Sequence, residues 1–167
     1  AVPESRRSCG NSRSAQDQFG TKTVVQLQFA HCSAFLTLRE EIATGGLGRV
    51  YALEGDYLWG RVHKLKTGWR RKMPFYSIIL GAGIHMVDLV CWLSGDFVLD
   101  SVFAAGNRIS TEQAGFEHND FVIITMLIKS GVIAKVTGNA GSVAPHLAST
   151  AHLNTPERKW LQPIVRS

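Results

Sequence analysis

No apolar run in this sequence approaches the ~20 residues that a bilayer-spanning helix requires, so no membrane span is expected. Cysteine is scarce: Cys9, Cys32 and Cys91 are odd in number and widely spaced, which gives neither a disulfide framework nor a metal motif. They read as reduced thiols of a cytoplasmic protein, with Cys91 a small core residue inside an apolar segment. The N-terminal stretch has two arginines but no apolar core of a signal peptide behind them, so secretion is not expected. Internal repeats are missing as well, which sets aside solenoids and propellers.

What is present is the composition of a globular protein, with 45% hydrophobic and 19% charged residues. The 167 residues suffice for one domain with a sizeable core, or for part of a larger two-domain protein. The net charge is +5, yet six of the 18 Lys and Arg residues fall between Arg61 and Lys72. That is a local basic patch and not a basic tail.

Along the chain, residues 1–22 are rich in Ser, Arg, Gln and Gly without apolar periodicity, and are expected to be poorly ordered. "TVVQLQFA" (23–30) reads as a strand. A helix is expected from about Ser33, a plausible N-cap, to Thr44, with Phe35, Leu38 and Ile42 near helical spacing and Gly45-Gly46 as its stop. "RVYALEGDYLW" (49–59) reads as a strand, and an irregular loop follows it. A second helix runs from about Gly83 to Leu93, ended by Ser94-Gly95. Three strand patterns come next, the last two joined in a hairpin at Lys129-Ser130-Gly131. Beyond Ala144 the pattern fades, so 23–146 is taken as the domain and 147–167 as a tail of uncertain structure. Two helices followed by adjacent strands predict an α+β fold: an open, largely antiparallel β-sheet with helices on one face.

The segment "YSIILGAGIHMVDLVCWLSGD" (76–96) raises the question of a dinucleotide fingerprint. Gly81 and Gly83 fit Gly-x-Gly-x-x-Gly/Ala, but the third position is Met86, too large for the close helix–sheet contact that the motif serves. "GGLGRV" (45–50) lies between a helix and a strand, the reverse order. Neither cluster is expected to bind a nucleotide.

The helix itself is apolar nearly all round and therefore buried. His85 and Asp88 are then costly residues. One account makes both structural polar contacts. The other places them in the first helical turns, where the helix dipole favours a neutral imidazole and an ionised carboxylate, so that His85 serves as a general base. The preceding loop interleaves cations with aromatics, among them Tyr57, Trp59, Lys64, Trp69 and Arg70. Such a surface suits sugar rings, phosphates or stacked bases, or else is a solvated loop with its tryptophans packed inward.

Taken in order, "LREEIATGGLGRVYALEGDYLWGRVHK", "GWRRK", "LGAGIHMVDLVCWLSGD" and "NDFVIITMLIKSGVIAKVTGNAG" resemble the C-terminal domain of the glucose-fructose oxidoreductase/inositol dehydrogenase/MocA family over residues 24–141. The most specific parts are Gly-x-Leu-Gly between helix and strand, and Gly-x-His-x-x-Asp opening a helix that ends in Trp-Leu-x-Gly. The resemblance implies an NAD(P)-dependent oxidoreductase of sugars and cyclitols, with an N-terminal Rossmann domain and an open-sheet domain that forms the substrate site and the subunit contact. It maps the catalytic His of an Asp-x-x-x-His pattern onto His85, while the acidic position is Gly81. A catalytic Lys in Glu-Lys-Pro, implied upstream of residue 23, is not found in residues 1–22, nor is any βαβ pattern.

The expected function is therefore a truncated or stand-alone substrate-binding and oligomerisation domain, not catalytic alone. His85 is the catalytic group, and Lys64, Trp69, Arg70 and Asp88 bind substrate. No cofactor is expected on this chain by itself, and a separate Rossmann-domain chain is a possible partner beside a small sugar-like ligand. A homo-oligomer is expected through the sheet face, burying Val122, Ile124, Met126 and Ile128 or their alternates Phe121, Ile123 and Leu127. The alternatives are a non-enzymatic module that binds an anionic sugar or nucleic acid through residues 57–72, and a gene fragment without present function.

Overall fold

The computed structural model describes residues 27, 29, 32–95, 97–112 and 115–142, together with the backbone of strands at 147–154 and 164–166. The reading of residues 1–22, and nearly all of the strand expected at 23–30, lie outside the described residues. Helix α1 (Ser33–Ala43) presents Phe35 and Leu38 to the core at one-turn spacing. Its N-cap is Cys32 and not the expected Ser33, and no side chain caps it. Thr44 closes the far end by donating its hydroxyl to the Glu40 carbonyl (2.9 Å), and Gly45 follows at φ 74°, the left-handed conformation that ends helices.

Strand β1 (Ala52–Trp59) comes next, then a short helix α2 (His63–Lys66) and a 3₁₀ turn (Trp69–Lys72). A π turn (Ile79–Gly83) runs directly into helix α3 (Ile84–Leu93). Strands β2 (Leu99–Asn107), β3 (Phe121–Ile128) and β4 (Ile133–Asn139) follow, with β3 and β4 joined through the expected turn at 129–131. Two further strands, β5 (Leu147–Asn154) and β6 (Ile164–Arg166), form where the residue pattern fades. "LASTAHLN" has no strict alternation to announce a strand, and backbone pairing with β1 organises it instead.

The six strands make one open sheet in the order β2-β3-β4-β1-β5-β6. Only β1 and β4 pair in parallel, and every other pairing is antiparallel. The fold is the α+β class expected, with helices on one face. Helix α3 packs on β1 and β4 through Met86, Leu89, Val90 and Leu93, while α1 adds Phe35 and Leu38 to the same core. Arg39 of α1 stacks its guanidinium 4.4 Å over the Trp92 ring and ties the two helices together.

The close approach of α3 depends on two glycines. A Cβ at Gly55 of β1 would meet Met86 at 3.1 Å, and one at Gly138 of β4 would meet Ile79 at 3.0 Å and Ile78 at 3.2 Å. Buried Asp120 pins the crossing from β2 to β3. Its carboxylate accepts from the Thr111 hydroxyl (2.8 Å), its N–H donates to Asn107 (3.0 Å), and its carbonyl accepts from Ala140 (2.8 Å).

The alternation of β3 settles which of the two expected sets faces where. Val122, Met126 and Ile128 are buried beneath the helices. Leu127 belongs to the other face, with Ile133 as its cross-strand partner and Phe103 two registers along. These three are 39%, 51% and 70% exposed. The same face carries Lys135 against Glu54 (2.7 Å) and Asp56 (3.7 Å). Partial burial opposes the Lys135 charge, but the Glu54 hydrogen bond and the two carboxylate charges outweigh it and hold the ammonium above its ordinary pKa.

Met86 is fully buried at the tightest helix–sheet contact. Met86→Ala is expected to lower stability by about 2–5 kcal/mol in urea titration, because the flat strip at Gly55 has no side chain to move into the cavity.

Candidate functional site

His85 lies one residue into α3, but not at a helix end. The helical run begins at Ile78, after Ser77 takes the Leu80 N–H on its side-chain oxygen (3.4 Å). The π turn therefore puts nearly two turns ahead of His85, and the dipole argument for a neutral imidazole does not apply, since that effect fades within the first turn. The same turn removes the fingerprint geometry. Gly81 and Gly83 sit inside a continuous helix, with the Gly81 N–H already bonded to Ser77 (3.1 Å), and not at a strand–helix junction with free amides.

Aromatic packing positions the His85 ring instead. Tyr57, on the inward face of β1, stacks against it at 6.1 Å and 25°, and Phe29 meets it edge-on at 5.5 Å and 82°. Its Nδ1 is buried, and among the described residues no group hydrogen-bonds it. A buried imidazole nitrogen is costly to leave unpaired, so this atom marks a place where a polar partner is wanted.

Tyr57 joins His85 to the basic loop. Burial pushes the Tyr57 phenol above its usual pKa, the Arg61 charge pulls it back, Tyr76 raises it, and Arg70 lowers it. Arg70 is the organising cation of that loop. It donates from Nε to the Tyr76 hydroxyl (3.1 Å) and lies 4.4 Å over Trp69, 5.4 Å over Trp59 and 6.0 Å over Tyr76. Trp69 is 58% exposed, whereas Trp59 and Tyr76 are buried, so one aromatic face remains open to a ligand.

The other expected residues are less tied together. Lys64 sits half-buried in α2, with no side-chain bond to the described residues. Asp88, also half-buried, is felt at Cys91, whose thiol is pushed up first by burial and then by the Asp88 charge. A groove of about 380 Å³ opens between residues 71–74 and 115–118, on the loop's far end and not at His85.

The pattern alone did not single out Tyr76. The signal was Gly81: a Cβ there would fall on the Tyr76 hydroxyl and its ring carbon, so the phenol occupies the side-chain slot of position 81. A large aromatic five residues before a helical glycine is compatible with many other packings, which is why the sequence did not reveal it.

Fold and site together define an open-sheet α+β domain with a histidine-bearing helix across its parallel strand pair. The profile of the GFO/IDH/MocA C-terminal domain matches residues 35–154, and the chain belongs to that family. Inositol 2-dehydrogenase 2 of Saccharopolyspora erythraea is 21% identical over 147 residues, covering 78% of this chain and 41% of that protein. The myo-inositol 2-dehydrogenase of Lactobacillus plantarum shares the fold at TM-score 0.68 and 16% identity, over 83% of this chain and 40% of the other. The scyllo-inositol dehydrogenase of Lactobacillus casei, solved with NAD(H) and scyllo-inositol, gives TM-score 0.66 at 16% identity over 90% and 44%. The chain thus spans about two fifths of the length of these relatives. Among the described residues no helix is long and apolar enough to cross a membrane.

Replacing glycine by alanine inside a helix ordinarily adds about 0.5–1 kcal/mol of stability. Gly81→Ala is expected to do the opposite and cost about 1–3 kcal/mol, because the Tyr76 ring it must displace is packed between Trp69 and Phe116. Chemical denaturation checks the sign, and in the Tyr76→Ala background the penalty of Gly81→Ala should vanish.

Proposed function

We propose that this chain is the substrate-binding and oligomerisation domain of an NAD(P)-dependent oxidoreductase of sugars or cyclitols. The observation that supports this reading best is His85: a partly exposed imidazole whose buried Nδ1 has no hydrogen-bond partner among the described residues, stacked on Tyr57 in a domain of this family. His85 accepts the proton of the substrate hydroxyl as that carbon is oxidised and returns it in the reverse direction. Trp69 offers an open ring to the face of a sugar, Arg70 and Lys64 offer donors, and Asp88 offers an acceptor.

Neither glycine of the helix offers a cradle for the pyrophosphate of a dinucleotide. Gly81 and Gly83 are spent inside a helix, and their amides are not presented to a pyrophosphate. A Rossmann unit, elsewhere in the polypeptide or on a separate chain, supplies that site, and the described domain alone turns over no substrate. The free thiols of Cys32 and Cys91 suit a cytoplasmic protein.

Calorimetry of the 167-residue chain with NADH and with NADPH is expected to give no micromolar binding, and such binding would remove the division of labour proposed. Imidazole NMR is expected to show the His85 signals moving on addition of a sugar or cyclitol, a response lost in His85→Ala.

The same reading assigns the sheet face opposite the described helices to a second copy of the chain. Phe103, Leu127 and Ile133 form an apolar row there, on the side opposite the helices. Sedimentation at micromolar concentration is expected to give a dimer or larger homo-oligomer, and Phe103→Glu should shift it toward monomer by tenfold or more in Kd.

A further inference from the structure

Gly81 precedes His85 by one turn, so a side chain at 81 would share the imidazole's side of the helix. That slot is filled from outside the helix, because the Tyr76 hydroxyl lies where the Cβ would be. The consequence is electrostatic. A carboxylate one turn before the histidine would accept hydrogen bonds from the hydroxyls of a neutral polyol. The group in its place is a phenol whose oxygen already accepts from Arg70 Nε (3.1 Å), so that its O–H is left to act as a donor.

Arg70 reinforces the change of sign. Three aromatic rings hold its guanidinium in place, and among the described residues no carboxylate lies within ion-pair distance of it. Of its five N–H donors only Nε has a partner among the described residues. The remaining fork matches a carboxylate in the paired geometry that lysine lacks. Arg61 adds a further positive charge near Tyr57. The groups that the loop brings toward His85, Tyr76 and Arg70, are thus a donor and a cation, which pair with a ligand rich in acceptors, while Asp88 of α3 remains the acceptor.

We propose that Tyr76 and Arg70 form an anion-selecting subsite beside His85, and that the site takes a carboxylate-bearing sugar or cyclitol in preference to a neutral one. This rests on the reading of His85 as the proton-transfer group and adds the chemical class of its substrate.

The test compares glucuronate with glucose on the full chain, by calorimetry and by the NMR signals of the His85 imidazole. Glucuronate should bind at least tenfold more tightly, with a preference that shrinks as salt is raised. Arg70→Gln should abolish the preference, and Arg70→Lys, which keeps the charge without the fork, should retain part of it. Tyr76→Phe preserves the ring packing and should weaken glucuronate several-fold while leaving glucose unchanged. Equal affinities for the two sugars, or a preference that survives Arg70→Gln and Tyr76→Phe, would overturn the inference. If both sugars move the His85 signals equally, only the anion selection fails. If neither moves them, the proposed role of His85 fails and takes the subsite with it.

Discussion

The distance between one helix and two parallel strands governs this domain. Gly55 and Gly138 strip the sheet surface of side chains where the helical run from Ile78 to Leu93 crosses it, so that Met86, Val90 and the two isoleucines at 78 and 79 rest almost on backbone. Dispersion contacts of this kind fall off steeply with separation, which makes the crossing point rigid. Tyr57, two residues beyond Gly55 and paired with Gly138 across the sheet, is the first large side chain outside the bare strip. It is therefore the residue on which the His85 ring comes to rest. Packing sets the position of the histidine, and electrostatics follows from where packing leaves it.

The π turn shares in this arrangement. By starting the helix at Ile78, it moves the positive helix end away from His85 and brings Gly81 beneath the Tyr76 phenol. The positive charge of the site then comes from the loop and not from the helix end. Arg70, Arg61 and Tyr76 supply it, held by a second small core of Trp59, Leu65, Tyr76, Ile78 and Phe116 that exists to order this loop against the sheet end. Trp59 and Tyr76 are consumed by that core, which leaves Trp69 as the exposed ring among the three that Arg70 touches.

The two main helices, the β3–β4 hairpin and the α+β class were legible because each rests on local periodicity: Phe35 and Leu38 at helical spacing, or Lys129-Ser130-Gly131 between two β-rich runs. The family resemblance was legible for a different reason, since its motifs keep Gly, His, Asp and Trp at fixed offsets along one helix. Strand β5 was not legible, because "LASTAHLN" is made a strand by the β1 edge it joins and not by its own composition. The alternation of "FVIITMLI" was equally apolar in both registers, and only the position of the helices assigns Met126 inward and Leu127 outward. In the site, His85 and Arg70 were visible as chemistry-bearing residues, whereas Tyr76 became visible only once the occupied side-chain slot of Gly81 was known. A clash that would follow from a missing atom leaves no mark in a residue pattern.

The parallel pairing of β1 with β4 joins residues such as Glu54 and Lys135 that stand 81 positions apart in the chain. The antiparallel neighbour on the other side of β1 is made later still. During synthesis the central strand of the sheet thus emerges from the ribosome early and waits, unpaired on both edges, on the order of ten seconds until its partners appear. Its glycine-interrupted, charge-bearing sequence "ALEGDYLW" is suited to that wait, since Glu54, Gly55 and Asp56 weaken the self-association to which an unpaired apolar strand is prone. The glycine that lets the finished helix lie close to the sheet thus also helps keep the nascent strand apart from its copies.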